Sequence, residues 1–270
     1  MRNLAWGAVF LVMAIAIVPP AFAQETGADA AADLAKKLSN PVASLISVPL
    51  QYNYDANYGQ NDKGSRSVLN IQPVWPFSLG ENWNLITRTI VPIVSQSDLP
   101  PGTDKSGLGD ILQSFFFSPK KPVGGWILAA GPVVLYPTAS DDVLGGGKWC
   151  AGPTVLALKQ GGPWTFGLLA NHVASFAGDD VRADISATFV QPFVSYVTKK
   201  KTTFGLNTES TYDWKGEQWS VPVNLTVAQL VKAGKMPLSL MAGVRYWADS
   251  PENGPEGLGF RAAVTFLFPK

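Results

Sequence analysis

The chain has 270 residues, of which only 15% are charged, and a formal net charge of +1; an ordinary soluble domain carries roughly a quarter charged residues. Near-neutral charge without basic clustering argues against a nucleic-acid partner, and a single cysteine, Cys150, excludes a disulfide-stapled secreted module. With 46% hydrophobic residues, 26 Gly, 14 Phe and 9 Trp, stability must come from hydrogen-bonded sheet and from packing.

Residues 1–23 read as a cleaved secretory signal. Arg2 supplies the positive start, Leu4 to Val18 is an apolar run, and Ala21-Phe22-Ala23 is a small-x-small cleavage site before Gln24. The run is short for a membrane span of about 20 residues, so an uncleaved anchor is the lesser reading. Removing Arg2 from the 21 basic residues balances them against the 20 acidic ones. No long apolar run occurs after it, so no transmembrane helix is expected. Residues 24–44 form a separate N-terminal segment, in which Ala28 to Leu38 is a short helix candidate stopped by Asn40-Pro41. The sequence leaves open whether it lies free in the periplasm or tucks against the rest of the chain.

From residue 45 to 270 the dominant signal is a period of two, the mark of β-strands whose successive side chains point to opposite faces. Ile46, Val48, Leu50, Tyr52 and Tyr54 share one face of the first strand; Leu69, Ile71, Trp75 and Phe77 oppose Asn70 and Gln72 in the second. In the third, Trp83, Leu85, Val91 and Ile93 take one parity and Arg88 the other. The fourth, Leu108 to Phe117, carries Asp110 and is ambiguous in facing. The fifth to eighth run over Trp126–Tyr136, Trp149–Leu158, Trp164–Phe176 and Ala183–Val197.

The last four are the clearest. Phe204, Leu206, Tyr212 and Trp214 oppose Asn207, Glu209, Thr211 and Asp213. Trp219, Val221, Val223, Leu225 and Val227 oppose Ser220, Asn224 and Thr226. Leu238, Leu240, Val244 and Tyr246 oppose Ser239 and Arg245. The closing stretch sets Leu258, Phe260, Ala262, Val264, Phe266 and Phe268 against a set that includes Arg261. About twelve strands of this length fit an antiparallel transmembrane β-barrel, with the last strand pairing to the first.

The connections agree with that count. With both termini periplasmic, the outward loops are Asp55–Arg66, Gln96–Gly107, Thr138–Lys148, Gly178–Arg182, Asp213–Gln218 and Asp249–Gly257, mostly long or acidic. The inward turns Ser78–Asn82, Pro119–Gly125, Gln160–Pro163, Thr198–Thr202 and Val231–Pro237 are mostly shorter and basic. Short periplasmic turns alternating with longer outer loops are a feature of bacterial outer-membrane barrels. Pro49, Pro73, Pro92, Pro132, Pro153, Pro192 and Pro222 fall inside strands, where proline cannot donate to a ladder, and so predict bulges or missing bonds. A soluble β-sandwich is the runner-up. Against it, Trp75, Trp83, Trp126, Trp149, Trp164, Trp214, Trp219 and Tyr246 lie near strand ends, where a membrane-interface girdle needs aromatics.

Several stretches resemble one family. They are Leu38-Ser39-Asn40-Pro41-Val42-Ala43, Gly107-Leu108-Gly109-Asp110, Phe117-Ser118-Pro119, Asn171-His172, Ser175-Phe176-Ala177-Gly178, Asn207-Thr208-Glu209-Ser210, Arg245-Tyr246-Trp247-Ala248-Asp249 and the closing Phe266-Leu267-Phe268-Pro269-Lys270. Together they cover most of residues 34–270. As a set they are similar to the bacterial outer-membrane β-barrels named for the meta-pathway of phenol degradation, whose members are often labelled transporters or, misleadingly, neuromedin U. The resemblance implies a barrel with a role in uptake of organic compounds, and it brings no catalytic residues.

Motifs for chemistry are sparse. His172 is the only histidine, and Ser175, three residues on, falls on the opposite strand face, unlike the His-x-Ser arrangement of the outer-membrane phospholipase. One His and one Cys make a zinc site a poor reading. Gly145-Gly146-Gly147-Lys148 fails the phosphate-loop pattern, since Asp142 and Trp149 stand where Gly and Ser or Thr are needed. Lys199-Lys200-Lys201 reads as a solvated turn.

The informative polar set is Arg88, Asp110, Asn207, Glu209, Asp213, Arg245 and Arg261. These residues alternate with apolar ones, and an Arg or Lys on the lipid face costs about 2–4 kcal/mol at mid-membrane, so parity sends the charges to the lumen. There they either line a polar pathway or fill a salt-bridged plug. The expectation is therefore a bacterial outer-membrane barrel acting as a passive channel or uptake pore for small compounds, hydrophobic or aromatic ones included. It needs no cofactor or metal and performs no covalent chemistry. Its partners are outer-membrane lipids, the barrel assembly machinery and a small-molecule solute. The alternatives are a structural or adhesive barrel with a closed lumen and, further off, a membrane-embedded lipid hydrolase.

Overall fold

The computed structural model describes residues 33–268 apart from Lys235. The signal-peptide reading of residues 1–23, the start of the candidate helix and Pro269-Lys270 lie outside the described residues.

Twelve antiparallel strands close into a barrel. They are β1 (Ile46–Tyr58), β2 (Gly64–Ile71 continuing as Val74–Leu79), β3 (Trp83–Ser97), β4 (Lys105–Leu108 continuing as Ile111–Pro119), β5 (Trp126–Tyr136) and β6 (Lys148–Gly161). After these come β7 (Trp164–Gly178), β8 (Ser186–Val197), β9 (Thr202–Thr208 continuing as Ser210–Asp213), β10 (Gln218–Ala233), β11 (Met236–Asp249) and β12 (Gly257–Phe268). Each strand pairs with the next, and β12 pairs with β1 from Ile46↔Phe268 to Tyr54↔Phe260. Closure leaves no free edge, so the ladders satisfy the backbone from within, as a span through hydrocarbon requires.

The prolines account for the three strand interruptions. Pro92 lies opposite the break in β4, where Leu108 pairs with Ile93 but Leu112 pairs with Ile90, so Gly109-Asp110 holds one extra residue, a bulge. Pro49, together with Pro73 itself, flanks the break in β2 at Gln72. Pro192 on β8 and Pro222 on β10 stand on either side of the break in β9 at Glu209, whose N–H still reaches the Pro222 carbonyl at 3.2 Å. A proline nitrogen has no hydrogen to give the neighbouring carbonyl, so the ladder opens beside each one. Pro132 and Pro153 face each other. Beside them, Gly131 and Gly152 pass so close to the next strand that a Cβ would collide with the carbonyl oxygens of Phe115 and His172.

The strands run further than the polar loops of the sequence suggest. The first outward loop shrinks from Asp55–Arg66 to residues 59–63, because β1 continues to Tyr58 and β2 starts at Gly64. Asp55 and Arg66 are paired strand residues. Their charge resembles that of a loop, but inside a barrel the inward parity accepts charge.

Outward residues are apolar and exposed: Tyr52, Tyr54, Leu225, Val227, Leu240, Val244, Phe260 and Phe268 among them. Of the rim aromatics, Trp75, Trp83, Trp126 and Trp164 sit at the end that carries the termini. Trp149, Trp214, Trp219 and Tyr246 sit at the opposite, loop end, and all eight are exposed on the outer surface. Edge-to-face pairs such as Trp164–Tyr196 and Tyr136–Trp149 tie neighbouring strands within these bands.

The N-terminal segment enters the barrel. Residues 33–38 are helical, with Asp33 and Lys37 paired at 2.8 Å one turn apart. Ala35, Val42, Ala43 and Leu45 are buried. Val42 packs into a cluster with Val74, Ile86, Phe116, Ala129, Leu156, Leu158 and Leu169, while Ala43 and Leu45 pack with Leu267. Gln160 Nε2 donates to the Lys36 carbonyl at 2.9 Å, and Asn84 Nδ2 to Ser44 Oγ at 3.2 Å. Of the two placements left open by the sequence, the segment takes the second.

Candidate functional site in the barrel interior

Two chemically different walls meet inside the barrel. On β3 to β8 the inward residues are largely apolar: Ile86, Phe116, Ala129, Leu156, Leu158 and Leu169 form one buried cluster, and Val133, Cys150 and Val173 another. On β9 to β12, β1 and β2, beyond the terminal end where Val74 and Leu267 are buried, they are largely polar and charged: Asn53, Asp55, Arg66, Gln72, Asn207, Glu209, Asn224, Arg245 and Arg261.

Glu209 is the hub of the polar wall. Arg261 holds its carboxylate with two parallel hydrogen bonds, Nη1 to Oε1 at 2.8 Å and Nη2 to Oε2 at 2.6 Å, the fork geometry that suits guanidinium and carboxylate. Arg245 Nη1 adds a third bond to Oε2 at 3.2 Å. Arg261 is only 2% exposed, and its Nε donates to Asn53 Oδ1 at 2.7 Å. The stagger of the sheet makes this meeting possible: Arg261 lies beside Asn53 across the closing ladder and faces Gly243 across β11. The break at Pro192 and Pro222 supplies Glu209 from the next strands round.

Asp55 is the second carboxylate. Arg245 Nε approaches its Oδ1 at 3.1 Å as an ion pair, but the N–H is not aimed to make a hydrogen bond. The bond to that oxygen comes from Trp247 Nε1 at 2.8 Å, and the Arg245 guanidinium stacks over the Trp247 ring at 4.8 Å. Arg88, from the edge of the apolar wall, donates to Gln72 Oε1 at 2.7 Å and lies within electrostatic reach of Glu209. Arg66 is close enough to share the Tyr58 environment with Asp55 and Arg245, yet its buried Nε has no hydrogen-bond partner among the described residues.

The remaining candidates lie elsewhere. Asn207 accepts a hydrogen bond from Asn224 Nδ2 at 2.8 Å. Asp110, on its bulge, takes the backbone N–H groups of Ala139 at 3.1 Å and Gly146 at 2.6 Å, which draws the loop before β6 against the barrel. Arg182 caps the same loop by donating to the carbonyls of Asp142, Gly145 and Gly146. Asp213 lines a cleft at the loop end, beside Thr211, Asp184 and Arg182.

Rim carboxylates beyond the strands are held in their charged form. The Lys105 ammonium, bonded at 2.6 Å, and the Val143 N–H keep Asp141 below the usual carboxylate range. Lys148 and Ser175 do the same for Asp184, and Ser97 with the Asp98 N–H for Asp104.

Sequence reasoning missed Asn53, Asp55, Arg66, Gln72 and Trp247 as members of the site. Continuing the alternation of the first strand by one more pair reaches Asp55, so a signal for it exists; Arg66 emerges only from cross-strand register. His172 and Ser175 do not meet. The His172 ring bonds Thr188 Oγ1 at 2.9 Å, whereas Ser175 Oγ bonds Asp184.

No protein-family model matches the chain, and no curated protein matches it. Solved structures do match in shape. An outer membrane channel from Pseudomonas putida F1 superposes with a TM-score of 0.62 at 17% identity, covering 83% of this chain and 96% of its own. The NanC porin superposes at 0.50 with 12% identity, covering 82% and 98%. The outer membrane phospholipase A from Escherichia coli reaches 0.48 at 13% identity, covering 83% and 90%, too loose a match to carry an argument. The likeness to the channel and to the porin establishes the fold, that of outer-membrane barrels.

Proposed function

We propose that this barrel is a bacterial outer-membrane channel that passes small solutes without covalent chemistry, hydrophobic or aromatic compounds among them. The observation that carries the reading is the charged wall inside the barrel. Buried ion pairs contribute little net stability, since the cost of desolvating both partners rivals their attraction. Ionisable groups at membrane depth generally mark pathways for ions or solutes. Here a hub of arginines and carboxylates faces an apolar wall across one lumen, an arrangement suited to a solute with both a polar and a greasy part.

The outer-membrane location, the resemblance to the phenol meta-pathway barrels and delivery by the assembly machinery belong to the same proposal. The exposed aromatic bands and the aromatic-rich closing strand support them.

A second reading, a barrel that stays closed, is favoured by the packing of Val42 and Ala43 at the terminal end and by the full burial of Ile86, Leu158 and Asn224. Single-channel recording of the refolded protein in planar bilayers separates the two. Discrete conductance steps are expected, and silence across a series of ions and small organic solutes would overturn the channel reading.

A further inference from the structure

The polar wall, taken with Arg88 at the edge of the apolar one, does not balance its own charge. Arg66, Arg88, Arg245 and Arg261 bring four guanidinium groups into one region, and Asp55 and Glu209 bring two carboxylates. Both carboxylates are already shared: Glu209 by Arg261 and Arg245, Asp55 by Arg245 and Trp247. Inside a protein such an excess acts at low effective dielectric, so it attracts an anion far more strongly than the same charges would in water.

Arg88 is the member with a cavity in front of it. A space of about 180 Å³ lies between the N-terminal segment and the inner wall, lined by Arg88, Gln72 and Gln191 on its polar side, where Lys37 also borders it but is paired with Asp33, and by Val74 and Leu45 on its apolar side. Among the described residues, Arg88 spends one N–H on the neutral Gln72 amide oxygen, which orients the guanidinium fork, and no carboxylate hydrogen-bonds it. Apolar cavities of roughly 150 Å³ accept a benzene ring, so this volume accommodates one ring and one small charged group.

We propose that the barrel binds a small carboxylate with a compact apolar body, of the size of a single-ring acid, with its carboxylate on Arg88 and its ring against Val74 and Leu45. A guanidinium matches a carboxylate bidentately in a way that no ammonium or neutral donor does. The proposal rests on the channel reading of the same lumen and names its solute class.

The test is equilibrium dialysis of the refolded, full barrel against radiolabelled benzoate, neutral benzyl alcohol and cationic benzylamine. Benzoate should be retained about tenfold or more above the other two, the scale of one charge-assisted bidentate contact. Arg88→Gln should lower benzoate retention by a similar factor while leaving benzyl alcohol unchanged, and Arg88→Lys should restore part of it. A folded, heat-modifiable band on unheated gels checks each variant, and competition by bulkier naphthoate, which should fail, tests the size limit on the unmodified protein. Equal retention of the three probes, naphthoate competing as well as benzoate, or Arg88→Gln binding benzoate like the parent would overturn the site. If benzoate binds as stated and bilayers stay silent, the channel reading fails and the site stands. If bilayers conduct and Arg88→Gln changes nothing, the site fails and the channel stands.

Discussion

The two walls of the lumen solve the same problem with opposite chemistry. On β4 to β8 the barrel fills itself as a soluble core does, with Phe116, Leu156, Leu158 and Leu169 interlocking and Val42 of the N-terminal segment completing the cluster. On β9 to β12 and β1 the space is filled by a hydrogen-bonded lattice in which Arg261, Arg245, Glu209, Asn53 and Asp55 hold one another. The apolar wall is stabilised by contacts that are individually weak and collectively large. The polar wall works only as a complete set, because each buried charge relies on its neighbours. The difference teaches where the molecule tolerates change: gradually on one side, abruptly on the other.

The sharpest way to break this contrast is at Glu209. Glu209→Ala leaves Arg261 buried without its carboxylate, and removing one partner of a buried pair costs about 3–5 kcal/mol. Urea titration of the refolded barrel should show the largest loss of midpoint for this variant. A loss no greater than that of an exposed outer-face control would mean that the polar wall is solvated rather than locked.

On the other wall, Leu158→Ala removes a fully buried side chain and should cost about 2–4 kcal/mol through lost contacts and the cavity left behind. The same titration measures it. Near-zero cost would indicate that the apolar wall is loosely filled and open to solute.

The smallest effect is expected at the ionic clasps above the apolar wall, Lys105–Asp141 and Lys148–Asp184, whose carboxylates are depressed chiefly by their lysines. A carboxylate with a lowered folded value contributes its stability above the ordinary Asp value of about 3.9 and loses it as pH falls through the folded value. Protease sensitivity of the loop before β6 should therefore be flat from neutral pH to about 4 and rise only below that. Asp141→Asn should show at neutral pH part of the sensitivity that the parent shows in acid. A rise in the parent already near pH 6 would place the control elsewhere.

The contrast between the walls also explains why some strands are easier to read from the chain than others. The strands that alternate cleanly in sequence, from Phe204 to Phe268, are those whose inner face is polar, so a period of two separates outer face from lumen side. Between Leu108 and Val197 both faces are apolar. Phe115-Phe116-Phe117 puts aromatics on both sides of β4, with Phe116 buried inside and Phe117 exposed outside, and no parity argument assigns them. Within the candidate site, Arg88, Glu209, Arg245 and Arg261 stood out as charges among apolar neighbours. Asp55 and Arg66 did not, since two charged residues flanking a Gly- and Asn-rich turn resemble loop.

By itself, the sequence determined the strand count, the antiparallel closure of Leu258–Phe268 on Ile46–Tyr54, and the inward parity of the arginines, because each of these comes from local alternation and turn spacing. Only the tertiary structure decided that Arg245 and Arg261 share one carboxylate, that of Glu209, that the N-terminal segment packs into the barrel end, and that half the lumen is greasy. Those outcomes depend on the stagger of the strands and on closure, which bring Asn53 beside Arg261 across 208 positions of chain, and no local pattern encodes a distance of that kind.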